Sequence, residues 1–185
     1  PKLIIPQGNV KPAARAYVIT SPPVIDGRIG KEEWPGWSAA RQLDLLPLRM
    51  RDGSLPPAGS AYALSTPEAL YVAVRIPHPE PARLRAQKGM WGQDDGVEID
   101  LQPVSAKRKG PVFVLHGFPS GNIQSITDAG ASEAEAQRLG AAATFQAHIG
   151  EDAWTGEFRI SRSALAKCWN PPQEVGQMQF NVGAR

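Results

Sequence analysis

The stretch Val97-Glu98-Ile99-Asp100-Leu101 alternates apolar residues with carboxylates. Successive side chains of a β-strand point to opposite faces, so this alternation predicts a strand with one face in a core and the other in water. Val97, Ile99 and Leu101 occupy the core face, whereas Glu98 and Asp100 lie on the wet face. The stretch therefore indicates a half-buried strand, the unit from which all-β folds are built.

Strand-like runs recur at short spacing from Tyr17 onward, with turn signals between them. This pattern favours an all-β fold, a two-sheet antiparallel β-sandwich that is jelly-roll-like and has only short helical turns. The chain of 185 residues contains 18 Gly and 18 Pro, which fits many short elements joined by turns. The candidate strands are 16–20, 59–64, 70–76, 97–102, 112–118, 122–127, 143–149, 154–160 and 178–184, and the candidate helices are 30–34, 81–87, 131–139 and 163–169.

Two tryptophans are interpreted as structural in this sandwich. Trp154 begins an alternating strand, and Trp34 follows a short helical turn, where a tryptophan usually fills the end of a core. Ser132 and Glu135 have the spacing of a helix capping box. The side chains expected to point into the core are Tyr71, Val97, Ile99, Phe158, Ile160 and Phe180.

The length of the chain fits one domain, preceded by a short N-terminal segment. Residues 1–16 show no periodicity and are predicted to form an arm or linker, and residues 17–185 form the sandwich. The chain begins without Met and ends inside a strand-like run, so we expect it to be cut from a longer chain, with further domains as partners. A formal charge of +2, with basic residues dispersed except for Lys107, Arg108 and Lys109, leaves no nucleic-acid footprint. No apolar run approaches the ~20 residues of a membrane span. Cys168, the single cysteine, excludes an internal disulfide.

Residues that could support catalysis are sparse. The histidines His78, His116 and His148 lie outside any recognisable catalytic motif, and no nucleophile elbow or phosphate-binding glycine loop is present. Glu98 and Asp100 lie two apart on one strand face, whereas a glycosidase needs its two carboxylates on opposite sides of the scissile bond. We therefore predict that the domain is not an enzyme, although it may be joined to one that acts on carbohydrates.

Trp91 is the tryptophan that we interpret as functional. A sugar ring presents an apolar C–H face and a belt of hydroxyls, so sugar sites combine an aromatic platform with hydrogen-bonding side chains. Gln93 and Glu98 follow Trp91 closely and supply such groups. In the structural alternative, Trp91 folds onto the end of the sandwich and Glu98 pairs with a basic side chain such as Arg75.

Short sequence pieces between Tyr17 and Arg185 follow one another in a recognisable order. They are Pro23-Val24-Ile25-Asp26-Gly27 with Glu33-Trp34, Ala69-Leu70-Tyr71-Val72-Ala73-Val74, Trp91 and Asp94 before Val97-Glu98-Ile99-Asp100-Leu101, Ala153-Trp154-Thr155 with Glu157, Phe158 and Ile160, and Phe180-Asn181-Val182. This order resembles the family 9 carbohydrate-binding modules. The resemblance implies a two-sheet antiparallel sandwich that binds a polysaccharide or oligosaccharide without cleaving it, in a secreted, cell-surface or periplasmic bacterial protein.

The resemblance also implies a binding site. It assigns one aromatic wall to Trp91 and a hydroxyl-binding carboxylate to Glu98. The family's arginine and asparagine on the next strand correspond to Val114 and His116, so His116 joins Gln93 as a candidate polar contact and the arginine is missing. The family's second tryptophan wall would follow Arg185.

Three further expectations concern cofactors and alternative functions. Calcium ions often brace loops in the family, and Asp26 and Glu33, which flank a tight turn, are the candidate ligands. Relatives of the fold in electron transfer bind haem b, for which Met90 with His116 or His148 could serve as axial ligands. The remaining alternative is a structural sandwich without ligand inside a larger extracellular assembly.

Overall fold

The computed structural model describes residues 16–34, 43–45, 59–78, 80, 83–104, 109–168 and 177–184. These residues form two β-sheets and two short helices, as expected for a β-sandwich. The strands are β1 (Tyr17–Val18), β2 (Leu43–Leu45), β3 (Gly59–Ser65), β4 (Ala69–Pro77), β5 (Val97–Val104), β6 (Phe113–Gly117), β7 (Ile123–Ile126), β8 (Ala143–Ile149), β9 (Ala153–Ser161) and β10 (Gln177–Ala184), and the helices are α1 (Glu133–Ala142) and α2 (Arg162–Cys168).

The larger sheet has six strands, in the order β1-β3-β4-β9-β8, with β2 also paired to β3. Its pairs are antiparallel except for β1, which runs parallel to β3. Every candidate strand of the sequence is present, and β2 is an additional strand. The predicted all-β sandwich is therefore confirmed, with one parallel pair at its edge.

The smaller sheet has four strands in the order β10-β5-β6-β7, and all its pairs are antiparallel. On β5 the residues Val97, Ile99 and Leu101 are fully buried, whereas Glu98 and Asp100 are partly exposed. The alternation predicted for this strand is thus confirmed. It turns the two carboxylates onto the face of the sheet opposite the core, which is called the outer face below.

The main core lies between the two sheets. It joins Val97, Ile99 and Leu101 to Val72, Trp154, Phe158 and Ile160 of the larger sheet, with Phe180 packed at its margin. Apolar side chains in such an interface interdigitate closely. A Cβ atom at Gly117 would lie 2.5 Å from the ring of Phe158, so glycine at this position lets β6 approach the opposite sheet.

Tyr71 corrects one prediction, because it does not point into the main core. It lies on the other face of the larger sheet and packs with Trp34, Tyr62 and Leu64 in a second buried cluster. The segment that precedes β2, carrying Ile19, Ile25 and Ile29, covers this cluster. The larger sheet is therefore buried on both faces, and the structural roles predicted for Trp34 and Trp154 are confirmed.

Both helices are short, as expected. The capping box at the start of α1 is present, since the Ser132 side chain accepts from the Glu135 backbone N–H and the Glu135 carboxylate accepts from the Ser132 N–H. The prediction of a helix at 81–87 was wrong for its described part, because 84–87 are irregular and only Arg83 has a helical turn conformation. No helix within the described ranges is long and apolar enough to cross a bilayer. The predicted arm, 1–16, lies outside the described residues except for Ala16.

Candidate functional site

Strand register brings the polar residues of the outer face into adjacent rows. Glu98 on β5 lies opposite His116 on β6, and His116 lies opposite Gln124 on β7. In the next row, Asn181 on β10 lies opposite Asp100 on β5. Residues that face one another across an antiparallel pair lie on the same side of the sheet. The face thus combines carboxylate, imidazole and amide groups on a rigid sheet.

His116 is fully buried and pairs with Glu98. Its Nε2 lies 2.8 Å from Oε2 of Glu98, whose side chain remains 30% exposed. The alternative partner named from the sequence, Arg75, instead donates to Asp152 at 2.6 Å on the larger sheet. Glu98 is therefore held by the imidazole and still reaches solvent.

Trp91 lies over the imidazole of His116. The two rings stack with centroids 4.0 Å apart and an interplanar angle of 11°. Phe118 contacts the same imidazole edge-on, and a Cβ at Gly96 would lie 3.1 Å from the Trp91 ring. Trp91 is only partly exposed. The sequence pictured an open platform, whereas the structure has an indole with one face packed on His116.

The loop that carries Trp91 is organised by Asp94. This buried residue accepts backbone N–H bonds from Lys88 at 2.6 Å and from Gly89 at 2.5 Å through the same oxygen, Oδ2. Gly89 has a φ of +60°, a left-handed conformation that favours glycine. Gln124 on β7 donates to the Gly89 carbonyl at 2.8 Å and so ties the loop to the sheet. Asp94 therefore positions Trp91 instead of offering a free carboxylate.

Gln93 lies on the exposed side of the same loop. Its Oε1 accepts from Nζ of Lys88 at 2.7 Å, and its Nε2 donates to the sulfur of Met90 at 3.7 Å. These contacts hold the exposed Gln93 side chain to Lys88 and Met90 of the same loop. His116 contacts both Trp91 and Glu98, and Gln93 lies two residues after Trp91 on the exposed side of the loop.

Asp100 is a site residue that the sequence analysis placed on the wet face without giving it a role. Its carboxylate accepts a hydrogen bond from Nδ2 of Asn181 at 3.3 Å. Burial and the neighbouring Glu98 raise the pKa of Asp100, against smaller opposing effects of Asn181 and His116. Strand alternation predicted its face, but only the pairing of β5 with β10 brings Asn181 to it.

The candidate calcium ligands are engaged in local structure. Oδ1 of Asp26 accepts from the Arg28 backbone N–H at 2.7 Å, an Asx-type turn, and the Asp26 N–H donates to Glu157. The Glu33 carboxylate lies beside Gly30, where a Cβ would be 3.2 Å from its Oε2. Within the described ranges, no three His, Cys, Asp or Glu side chains are grouped as a metal site requires. Calcium at Asp26 and Glu33 stays a prediction.

The candidate haem ligands lie on different elements. Met90 is in the Trp91 loop with 48% of its surface exposed, and His116 is fully buried on β6. His148 belongs to β8, at the edge of the larger sheet. Since Nε2 of His116 contacts Glu98, an iron at that nitrogen would have to displace the carboxylate.

Comparison with solved structures identifies the fold. The chain is similar to a family 9 carbohydrate-binding module from Caldicellulosiruptor kristjanssonii, in complex with glucose (17% identity, TM-score 0.55, 91% of this chain and 76% of that one) and with cellotriose (16% identity, TM-score 0.57, 93% and 76%). It is also similar to a candidate carbohydrate-binding protein from Bacteroides uniformis (15% identity, TM-score 0.54, 92% and 84%). No protein-family model and no curated protein sequence matches it. The resemblance seen in the sequence is therefore confirmed at the level of the fold.

Proposed function

We propose that this chain, a β-sandwich with the fold of the family 9 carbohydrate-binding modules, is a non-catalytic carbohydrate-binding domain. The observation that carries the proposal is the contact triad of Trp91, His116 and Glu98 on the outer face of the four-stranded sheet. Its ligand would be a polysaccharide or oligosaccharide lying on this face.

The triad has the two properties that a sugar site needs. The His116 ring supports Trp91 from one side, so the indole is fixed before the ligand arrives. The partly exposed indole would stack on the C–H surface of a pyranose with its other face. Glu98 is anchored by the same imidazole but is 30% exposed, so it can accept hydrogen bonds from hydroxyls. Gln93, two residues further along the loop and exposed, is a further candidate contact for hydroxyls.

The same structural similarity supports a proposal for the wider role. Solved structures with this fold include modules in complex with glucose and cellotriose. We propose that the domain is an appendage of a secreted or cell-surface bacterial protein and directs that protein to a glycan. Its attachment to further domains is part of the proposal.

A binding assay with tryptophan variants tests the proposal. Titration with cellotriose and affinity electrophoresis on a panel of polysaccharides should show retention by the parent chain. Trp91→Ala should weaken binding at least tenfold, about 1.4 kcal/mol, whereas Trp91→Phe, which keeps an aromatic ring, should lose less. Circular dichroism should show that both variants keep the β fold.

Other outcomes would support the alternatives. A folded Trp91→Ala variant that binds as tightly as the parent would overturn the role of this residue. A parent chain that no glycan of the panel retains would favour a structural sandwich without ligand. A Soret absorption band after expression with added haem, lost in Met90→Ala, would favour the electron-transfer alternative.

A further inference from the structure

The outer face of the four-stranded sheet has an unbalanced set of charges. Strand register defines which residues share this face, and the ionisable ones within β5, β6, β7 and β10 are Glu98, Asp100 and His116. Lys109 pairs with Val104 at the far end of this face, about 13 Å along the strand from Asp100. No lysine or arginine occupies a position of this face within the four described strands themselves. The positions are Glu98, Asp100, Gln102 and Val104 on β5, Val114 and His116 on β6, Gln124 and Ile126 on β7, and Gln177, Gln179, Asn181 and Gly183 on β10.

The imbalance persists in either protonation state of His116. With neutral imidazole the ionised face carries two negative charges, and with imidazolium it still carries one. Lys88, on the loop beside the face, directs its Nζ to Gln93 at 2.7 Å instead of to a carboxylate. The part of the face around Glu98 and Asp100 is therefore electrostatically suited to a cation and poorly suited to an anion.

Partial burial makes this imbalance energetically costly when Glu98 and Asp100 are both ionised. Burial and the charge of Glu98 raise the pKa of Asp100, which means that its ionised form is insufficiently solvated. Its hydrogen bond from Asn181, at 3.3 Å, is long. Glu98 and Asp100 lie about 7 Å apart along the strand. A positively charged donor between them would stabilise the ionised form of Asp100 and give it a stronger hydrogen bond.

We propose that this site prefers an amino sugar in its ammonium form to the corresponding neutral sugar. The proposal rests on the proposed carbohydrate-binding function and names its ligand class. The pyranose ring stacks on Trp91, the ammonium group lies against Glu98 and Asp100, and Asn181 and Gln124 are placed for neighbouring hydroxyls. Uronic acids, whose carboxylate would meet Glu98 and Asp100, are disfavoured at the same site.

Three trisaccharides with one linkage provide the matched test. Cellotriose, the β-1,4-linked glucosamine trisaccharide and its fully N-acetylated form differ only in the group at C2, which is a hydroxyl, an ammonium or an acetamide. In mildly acidic buffer of low ionic strength, calorimetric titration should give about tenfold tighter binding for the glucosamine trisaccharide than for the other two. Added salt should reduce this ratio, since part of the attraction is exposed to solvent.

Carboxylate variants locate the effect. Asp100→Asn should bring the ratio of the glucosamine and cellotriose affinities to about one, because the amide keeps the shape and removes the charge. The control Asp152→Asn removes one carboxylate from the larger sheet, where it pairs with Arg75, and should leave the ratio unchanged. Trp91→Ala should weaken binding of both sugars.

Each result bears on one proposal or the other. If the parent binds cellotriose as tightly as the glucosamine trisaccharide, or if Asp100→Asn keeps the preference, the amino-sugar inference is overturned while carbohydrate binding stands. If the parent binds neither these sugars nor any glycan of the panel, both proposals are overturned. A preference that Asp152→Asn abolishes would show that overall charge, and not this site, is responsible.

Discussion

The indole Nε1 of Trp34 donates a hydrogen bond of 2.6 Å to Oε1 of Glu157, 123 residues away in the chain. The other oxygen of Glu157 accepts backbone N–H bonds from Asp26 at 3.0 Å and Gly27 at 2.7 Å. Glu157 is fully buried on β9. A single carboxylate therefore holds the segment from Asp26 to Trp34 against the face of the larger sheet that points away from the main core. The hydrogen bonds that Glu157 accepts explain why the segment from Asp26 to Trp34 packs on β9, although the two are far apart in the sequence.

Trp34→Phe should therefore cost about 2–4 kcal/mol in the free energy of unfolding. The variant keeps most of the ring volume but removes a donor from a buried carboxylate, which is left undersatisfied. Urea denaturation measures the change. The matched control is Trp91→Phe at a partly exposed position, which should cost about 1 kcal/mol or less. Equal losses for the two variants would contradict the role of the Trp34 to Glu157 bond.

Glu157 should also make stability depend on pH. Burial raises the pKa of Glu157 above its usual 4.5, although hydrogen bonds from Trp34, Gly27 and Asp26 oppose the shift. The folded chain therefore keeps this proton in a range where the unfolded chain has lost it. It follows that the contribution of Glu157 to stability falls as the pH rises from about 4.5 through the pKa of the folded state.

The variant Glu157→Gln isolates this contribution, because other carboxylates titrate alike in both proteins. The free energy of unfolding of the parent, minus that of the variant, should decrease with rising pH over this range. Urea denaturation at a series of pH values checks the slope. A difference that is flat or increases with pH would show that the hydrogen bonds outweigh burial.

The fold was predictable where the alternation of residues is clear and less so where it is absent. On β5 the carboxylates mark the wet face, so the core side of Val97, Ile99 and Leu101 could be read directly. On β4, residues 69–74 are all buried because the sheet is covered on both sides. A continuous apolar run does not indicate which side chains point to which face. The predicted orientation of Tyr71 was wrong for this reason.

The sequence predicted several residues of the candidate site but not their spatial arrangement. Trp91 and Glu98 were identified because Glu98 lies on a clearly alternating strand and Trp91 shortly precedes it. The stack of Trp91 on His116 depends on how the loop returns over β6, and this return is fixed by Asp94 and Gly89. Asn181 reaches Asp100 only through the pairing of β10 with β5, which no local sequence signal indicates.

Truncation should cost more stability at Trp154 than at Trp91. It is 1% exposed in the main core, and a Cβ at Gly156 would lie 3.2 Å from its ring, so its surroundings are closely packed. Trp154→Ala should cost about 3–5 kcal/mol in unfolding free energy. Ile149→Ala on the neighbouring strand, with 43% of Ile149 exposed, should cost less than about 1 kcal/mol. A parent-like melting temperature for Trp154→Ala would contradict its placement in the core.

Asp26 should stabilise the domain through its turn whether or not calcium binds nearby. Its side chain accepts the Arg28 N–H at 2.7 Å, and the adjoining Gly27 has a φ of +86° and packs against the backbone of Ala147. Asp26→Ala should therefore cost about 1 kcal/mol in the presence of EDTA as well as in its absence.

Thermal melts of the parent and of Glu33→Gln, with EDTA or added calcium, separate the contribution of the turn from that of a bound calcium ion. A melting temperature of the parent that falls with EDTA, and does not fall in Glu33→Gln, would establish the calcium site, because only a bound ion links Glu33 to a chelator. Loss of the Asp26→Ala effect in EDTA would instead show that Asp26 acts only through the metal.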